Sequence, residues 1–171
     1  METAERICWY AARTRAGQEI GIRSRLDSLG VENFIPSFRR RNYRGKPKEH
    51  PYINNLVFIR TTKTRACELK TFDGLPYSYV TDFVRRSMLV IPDKQMDDFI
   101  RVFTVSSTEG GLMDQPVSPG EKVRVSQGPL KGVEGFVMQL EGSCYVVVEI
   151  CGTIFAKAKV SRSWLERVTN N

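Results

Sequence analysis

Apolar positions in this chain fall into short clusters set apart by turn-forming residues. Residues 7–14 (ICWYAART) are rich in β-formers and run into the polar Arg15-Ala16-Gly17 turn, which predicts a strand. Ile22, Leu26 and Leu29 then recur at helical spacing before Gly30, predicting a helix over 18–29. Residues 31–38 read as a second strand, interrupted late by Pro36 and therefore suited to a sheet edge. Residues 55–60 (NLVFIR) read as a short buried strand, 64–71 as a short helix closed by Asp73-Gly74, and 77–83 as a further strand. The clearest helix spans 93–105. Met96, Phe99, Ile100 and Phe103 form one apolar stripe there, and Pro92 with Asp93, Asp97 and Asp98 suits its N-terminus and dipole. This β-α-β-β-α-β-α order predicts an α+β domain, an antiparallel sheet with helices packed on it.

Periodicity is lost over 104–119, where Ser106-Ser107-Thr108-Glu109-Gly110-Gly111 is followed by Pro116 and Pro119, the composition of a linker. Beyond it every segment is short and strand-like. Val123 and Val125 alternate, Gly128-Pro129 turns, 133–140 continues, Glu141-Gly142-Ser143 turns, 145–150 follows, Cys151-Gly152-Thr153 turns, and 154–160 returns. Closely spaced hairpins of this kind predict a small β-barrel, which removes its own sheet edges. The expected organisation is a domain over 1–105, a linker over 106–119 and a barrel over 120–171.

Charge changes the picture of the first third. The 171 residues carry 26 Lys and Arg against 19 Asp and Glu, a net +7, and residues 1–60 alone hold 12 cations and 6 anions. The centre of that excess is Arg39-Arg40-Arg41-Asn42-Tyr43-Arg44-Gly45-Lys46-Pro47-Lys48, six cations and no anion around one Tyr. Its Gly and Pro predict an exposed hairpin tip or loop. Such a run serves either as a solvated loop kept basic for solubility or as a phosphate-contacting arm with an aromatic available for stacking.

Other chemistries find little support. Cys8, Cys67, Cys144 and Cys151 form no Cys-x-x-Cys pair and His50 is the single His, so no zinc site is expected and the thiols read as small packed hydrophobes. A metal-dependent nuclease built on Asp97-Asp98 is disfavoured, because adjacent helical residues point about 100° apart. With no nucleophile motif or phosphate-binding glycine loop, neither an enzyme nor a cofactor is expected. No apolar run approaches a membrane span, and the N-terminus lacks the basic start and apolar core of a signal peptide, so a cytoplasmic protein without membrane contact is expected.

Two stretches carry a family resemblance. Residues 120–137 (GEKVRVSQGPLKGVEGFV) resemble a KOW motif, with Gly128, Pro129, Gly132 and Gly135 at the turn positions and valines filling the barrel. Ahead of it lie Trp9-Tyr10 opening the first strand, Arg15-Ala16-Gly17-Gln18-Glu19 entering a helix, and Phe34-Ile35-Pro36 on the next strand. Together these resemble the NusG family of transcription elongation factors over nearly the whole chain. The divergent motifs are similar to specialised paralogues of the RfaH and UpxY antiterminator type, the latter serving capsular polysaccharide operons.

The resemblance implies a non-enzymatic elongation and antitermination factor. Its N-terminal domain would bind the β′ clamp helices of RNA polymerase. The family's contact strand corresponds here to Tyr52-Ile53-Asn54-Asn55-Leu56-Val57-Phe58, which assigns Tyr52, Asn54, Asn55, Leu56 and Val57 to polymerase, with Ile53 standing where the family has Pro and Asn55 where it has Tyr. In the specialised members, cations of the first turn and first helix face non-template DNA. Here those are Arg15, Arg23 and Arg25, joined by the arm residues Arg39, Arg40, Arg41, Arg44, Lys46 and Lys48. The KOW barrel would recruit Rho or a ribosomal protein, although Cys151 stands before Gly152 where NusG has an aromatic. The competing reading is a KOW-type RNA- or ribosome-binding protein.

Overall fold

A computed structural model describes residues 5–106, 112–113 and 120–169. The chain divides into two compact units between Pro92 and Asp93.

The first unit contains β1 (Cys8–Thr14), α1 (Glu19–Ser28), β2 (Glu32–Phe34), β3 (Ser37–Arg41), β4 (Pro47–Pro51), β5 (Leu56–Thr61), α2 (Lys63–Thr71), β6 (Tyr77–Tyr79), β7 (Thr81–Asp82), β8 (Ser87–Met88) and β9 (Val90–Ile91). Its main sheet is antiparallel in the order β2-β5-β1-β6, with β9 also paired to β1. Ile22 and Leu26 of α1 and Leu69 of α2 pack with Ala12, Val57, Ile59 and Tyr77 of the sheet in one core. Trp9, Ala11, Leu56 and Phe58, which alternate with those sheet positions, are also buried. Strands buried on both faces lose the in-out alternation, which is why 7–14 and 55–60 read as near-continuous apolar runs.

Local chemistry fixes the boundaries. Thr62 caps α2 by accepting the Arg65 N–H at 3.2 Å. Helix α1 ends where the Gly30 N–H donates to Asp27 and the Val31 N–H to Leu26. The strand expected over 31–38 is two strands in different sheets. Pro36 has no N–H for a ladder, so β2 stays in the main sheet while β3 leaves it to pair with β4. The strand expected over 77–83 also divides: β6 stays on β1, and β7 turns away to form a separate hairpin with β8, placing Phe83 at its tip.

The second unit begins with α3 (Asp93–Ser106) and continues through β10 (Leu112–Met113), β11 (Lys122–Val125), β12 (Glu134–Leu140), β13 (Ser143–Ile150), β14 (Ile154–Lys159), a 3-10 turn at Arg162–Trp164 and β15 (Leu165–Arg167). The strands form one antiparallel sheet in the order β10-β14-β13-β12-β11-β15. That path runs open from β10 to β15, where the hairpin pattern predicts closure. Helix α3 packs on β13 and β14, burying Met96, Phe99, Val102 and Phe103. Val102 takes the place expected for Ile100, which is half-buried.

Polar contacts reinforce that packing. The buried Asp98 carboxylate accepts the Glu134 N–H at 3.1 Å and is paired with Lys94. Gln95 donates to the Glu149 carbonyl at 2.6 Å. Helix α3 thus belongs to the second compact unit, whereas the sequence reading placed it at the end of the first domain. Most of the expected linker lies outside the described residues, and Leu112 and Met113 pair with Ala156 and Phe155 of β14.

Candidate functional site

The basic run is a β-hairpin, one of the two forms its Gly and Pro predict. Strands β3 and β4 pair Phe38 with His50, Arg39 with Glu49, Arg40 with Lys48 and Arg41 with Pro47. The tip is held by Asn42, whose Oδ1 accepts the N–H groups of Arg44 and Lys46, each at 3.0 Å. The Asn42 N–H in turn donates to the Lys46 carbonyl at 2.8 Å. Tyr43 is 89% exposed, with the Arg44 guanidinium 5.2 Å from its ring centre.

Charge on this hairpin is arranged unequally. Glu49 answers the cations on one face: it pairs with Arg23 and accepts from Ser37. Burial alone would push the Glu49 carboxyl up, but the hydrogen bonds from Ser37 and Arg23 and the charges of Arg23 and Arg39 outweigh it and hold the group below the usual carboxylate value. On the other face Arg40 stands directly opposite Lys48, a like-charge cross-strand pair that opposes folding. Arg40, Arg41, Asn42, Tyr43, Lys48 and His50 line an open depression there. Cations without an ion pair among the described residues, set around an aromatic, suit a phosphodiester strand.

The three cations assigned to the first turn and α1 behave differently. Arg15 is exposed at the end of β1. Arg23 is half-buried and engaged within the fold, paired with Glu49 and donating to the Ile35 carbonyl at 2.9 Å. Its charge is already answered, so it is not offered to DNA in this arrangement. Arg25 is exposed and donates to the Asp73 carbonyl at 2.6 Å.

The stretch 52–57 is divided between surface and core. Tyr52 is half-buried, its ring 4.7 Å from Phe38, and its N–H donates to the Pro36 carbonyl at 2.8 Å. Asn54 is exposed. Asn55 adopts a left-handed φ of 68°, and its N–H donates to Oε1 of the buried Glu19 at 2.7 Å. Leu56 and Val57 are only 2% and 0% exposed on β5, so the expectation that they present surface to polymerase is corrected: they are core residues. Sequence reasoning missed Glu19 and Glu49 as the anchors of these loops. The one available signal was a lone carboxylate at each place, Glu49 closing a six-cation run and Glu19 opening a helix.

In the second unit, Gly128, Pro129 and Gly132 of the KOW assignment lie in the β11–β12 connection, and Gly135 lies on β12. Gly128 and Gly132 have φ of 77° and 87°, and the Gly132 N–H closes the loop on the Val125 carbonyl at 2.7 Å. A Cβ on Gly135 would lie 2.3 Å from the Val147 carbonyl oxygen. Helix α3 also reaches this loop. Arg101 donates to the carbonyls of Pro129 at 3.0 Å and Lys131 at 2.8 Å, and Lys94 donates to that of Gly132 at 2.8 Å.

The remaining cysteines and acids are placed without a common centre. Cys67 is exposed on the outer side of α2 rather than packed, while Ala66 beside it takes the buried position. Asp97 is exposed and Asp98 buried, on different sides of α3. Among the described residues no group of three or more His, Cys, Asp or Glu is placed to hold a metal ion. No helix among them is long and apolar enough to cross a membrane.

Comparison with known proteins bears on the first unit most directly. No curated protein matches the chain. Among the solved structures that match, with weak overlap, are the MjSpt4:Spt5 complex in conformation A at 14% identity, covering 95% of this chain and 99% of that one with a TM-score of 0.31, and in conformation B at 15%, 95% and 97% with 0.27. The family model described as "NusG: Transcription termination factor nusG" matches residues 7–100, from β1 through the first half of α3. That span is more than half of the chain, and this protein belongs to the NusG family of transcription factors.

Proposed function

We propose that this chain is a transcription elongation and antitermination factor of the specialised RfaH and UpxY type, serving a particular operon such as one for capsular polysaccharide. Its first unit engages RNA polymerase at the β′ clamp helices through Tyr52 and Asn54, with Asn55 shaping the loop between them and β5. The basic hairpin holds exposed non-template DNA, with Arg15 and Arg25 as further contacts. The sheet of the second unit acts as a KOW domain and recruits Rho or a ribosomal protein. In domain terms, residues 1–92 form the polymerase-binding part, and 93–171, which include α3, form the recruiting part.

The observation that carries the DNA part is the unanswered pair Arg40 and Lys48 beside exposed Tyr43 on a hairpin that Asn42 and Glu49 hold in shape. Like charges placed face to face oppose folding. A polyanionic partner supplies the missing counter-charge. The arrangement of α3 over the 128–132 loop supports regulated recruitment, because Arg101 and Lys94 already hold carbonyls of that loop.

The test is capture of core RNA polymerase against capture of ribosomes, combined with terminator readthrough. Polymerase capture and increased readthrough are expected. Capture of ribosomes alone would establish the competing KOW-type reading. Replacing Arg39, Arg40 and Arg41 with Gln should reduce readthrough while polymerase capture through Tyr52 and Asn54 persists.

A further inference from the structure

The hairpin of β7 and β8 carries a second, smaller projection. Thr81 pairs with Met88 and Asp82 with Ser87, leaving Phe83-Val84-Arg85-Arg86 as a four-residue loop. Phe83 is 89% exposed and Val84 94%, although burying such side chains is the main drive of folding. Their exposure is not the result of a slack loop. Asp82 Oδ1 accepts the N–H groups of both Val84 and Arg85, each at 3.0 Å, and Arg86 closes the turn at a left-handed φ of 50°.

The mounting is equally firm. The Val80 N–H donates to the Ala11 carbonyl at 2.8 Å, the Leu89 N–H donates to the Val80 carbonyl at 2.8 Å, and Val90 pairs with Tyr10. Both legs of the hairpin therefore spring from β1, the central strand of the main sheet. An apolar tip held in a fixed turn and exposed is suited to meeting a partner.

The chemistry of the tip selects that partner. Phe83 offers a flat π face to solvent. Arg85 and Arg86 follow it, and Arg86 has no side-chain partner among the described residues. The only carboxylate of the hairpin, Asp82, is turned to the backbone and to Arg85 at 3.8 Å. The tip is therefore cationic as well as aromatic, and two apolar side chains are too small a patch to hold a protein interface unaided. The basic hairpin of the same unit ends in the same combination, exposed Tyr43 beside Arg44. An aromatic ring stacks on a base, and adjacent guanidiniums hold the flanking phosphates.

We propose that the β7–β8 tip is a binding site for single-stranded DNA, with Phe83 stacking on an unpaired base and Arg85 and Arg86 holding the phosphates beside it. The site extends the DNA reading of the basic hairpin and is separable from it.

The experiment titrates the full chain with a single-stranded oligonucleotide of mixed sequence and with the same sequence as a duplex, across a salt series. Phe83→Leu, which keeps apolar bulk without a π face, should weaken single-strand binding about tenfold, while Phe83→Trp should preserve it. Replacing Arg85 and Arg86 together with Gln should lower the salt slope by about 1.4, two phosphates at ~0.7 each. Thermal unfolding of each variant should match the parent, since the tip lies outside the core. Parent-like binding by Phe83→Leu would overturn the proposal. So would equal losses on duplex and single strand, or a loss confined to RNA polymerase capture, which would assign the tip to a protein pocket. Triple Gln replacement of Arg39, Arg40 and Arg41 separates the two readings: lost DNA binding there with parent-like Phe83→Leu would leave the basic hairpin standing and remove this site. The reverse pattern would do the opposite.

Discussion

Arg23 of α1 is paired with Glu49 of β4, tying the first helix to the basic hairpin. A cation that resembles a DNA contact in sequence thus serves to aim the element that carries the others. Glu49→Gln should lower thermal stability by about 1 kcal/mol and loosen the hairpin, since a charge-assisted hydrogen bond is weakened at a partly buried position. The pH dependence follows from the direction of the shift. The Glu49 carboxyl is held below its usual value in the folded state. Its stabilisation is therefore complete above the unfolded carboxylate range near 4.5 and is lost as pH falls through the lower folded value. Parent and Glu49→Gln stability curves should converge below that range, as read by denaturant unfolding at a series of pH values.

Tyr52 and Leu56 separate contact from core. Tyr52→Ala should weaken polymerase capture by about 2 kcal/mol, the cost of truncating an aromatic anchor at an interface. Asn54→Ala, at an exposed position, should reduce capture without changing thermal stability. Leu56→Ala should instead destabilise the first unit by about 2–5 kcal/mol, as for a buried Leu, and reduce capture only in proportion to unfolding. Polymerase capture measured beside thermal unfolding distinguishes the two outcomes.

The limits of the sequence lie at identifiable residues. The helices and the buried strands of the main sheet were legible because Ile22, Leu26, Met96 and Phe99 keep helical spacing and 56–59 is an uninterrupted apolar run. The basic hairpin was legible as an exposed turn from its Gly and Pro. The division at Pro36 and the turn at Asp82 were not, because Phe38 and Phe83 are β-formers whose positions depend on pairing partners far along the chain. Burial of Leu56 and Val57 was legible in that same apolar run, and it is the assignment of these two side chains to polymerase that conflicts with it. The partner of α3 was also hidden, since an amphipathic stripe states that a face is buried and not what buries it.

Asp98 is the polar key to that partner. Its carboxylate accepts the Glu134 N–H at the start of β12 and pairs with Lys94 within α3. Asp98→Ala should cost about 2 kcal/mol by leaving a backbone N–H unpaired and should free α3 from the 128–132 loop. Hydrogen exchange at Gly132 and Glu134 should accelerate in the variant while amides of β5 stay protected. Unchanged exchange at those two amides would show that apolar packing alone holds the helix.

Gly135 sits where β12 approaches β13 closely. A Cβ there would stand 2.3 Å from the Val147 carbonyl oxygen and 3.1 Å from Val146 Cγ2, and backbone cannot yield as a flexible side chain does. Gly135→Val should therefore abolish cooperative unfolding of the second unit, and Gly135→Ala should destabilise it by about 1–3 kcal/mol. The readout is the loss of one transition in calorimetry, with polymerase capture by the first unit retained.

The like-charge pair Arg40 and Lys48 gives the sharpest test of the hairpin. Cross-strand neighbours of one sign repel, and no carboxylate stands across from either of them in the β3–β4 register. If these cations serve only solubility, replacing both with Gln relieves repulsion and leaves recruitment unchanged. If they hold DNA, the same change has opposite effects on two measurements. Thermal stability should rise by about 0.2–1 kcal/mol as the repulsion is removed. Single-strand DNA affinity should fall, with the salt slope reduced by about 1.4 for two lost phosphate contacts. Readthrough should fall on every template to a similar degree, because phosphate contacts position a strand without reading its sequence. A rise in stability without loss of binding or readthrough would assign the hairpin to solvation alone.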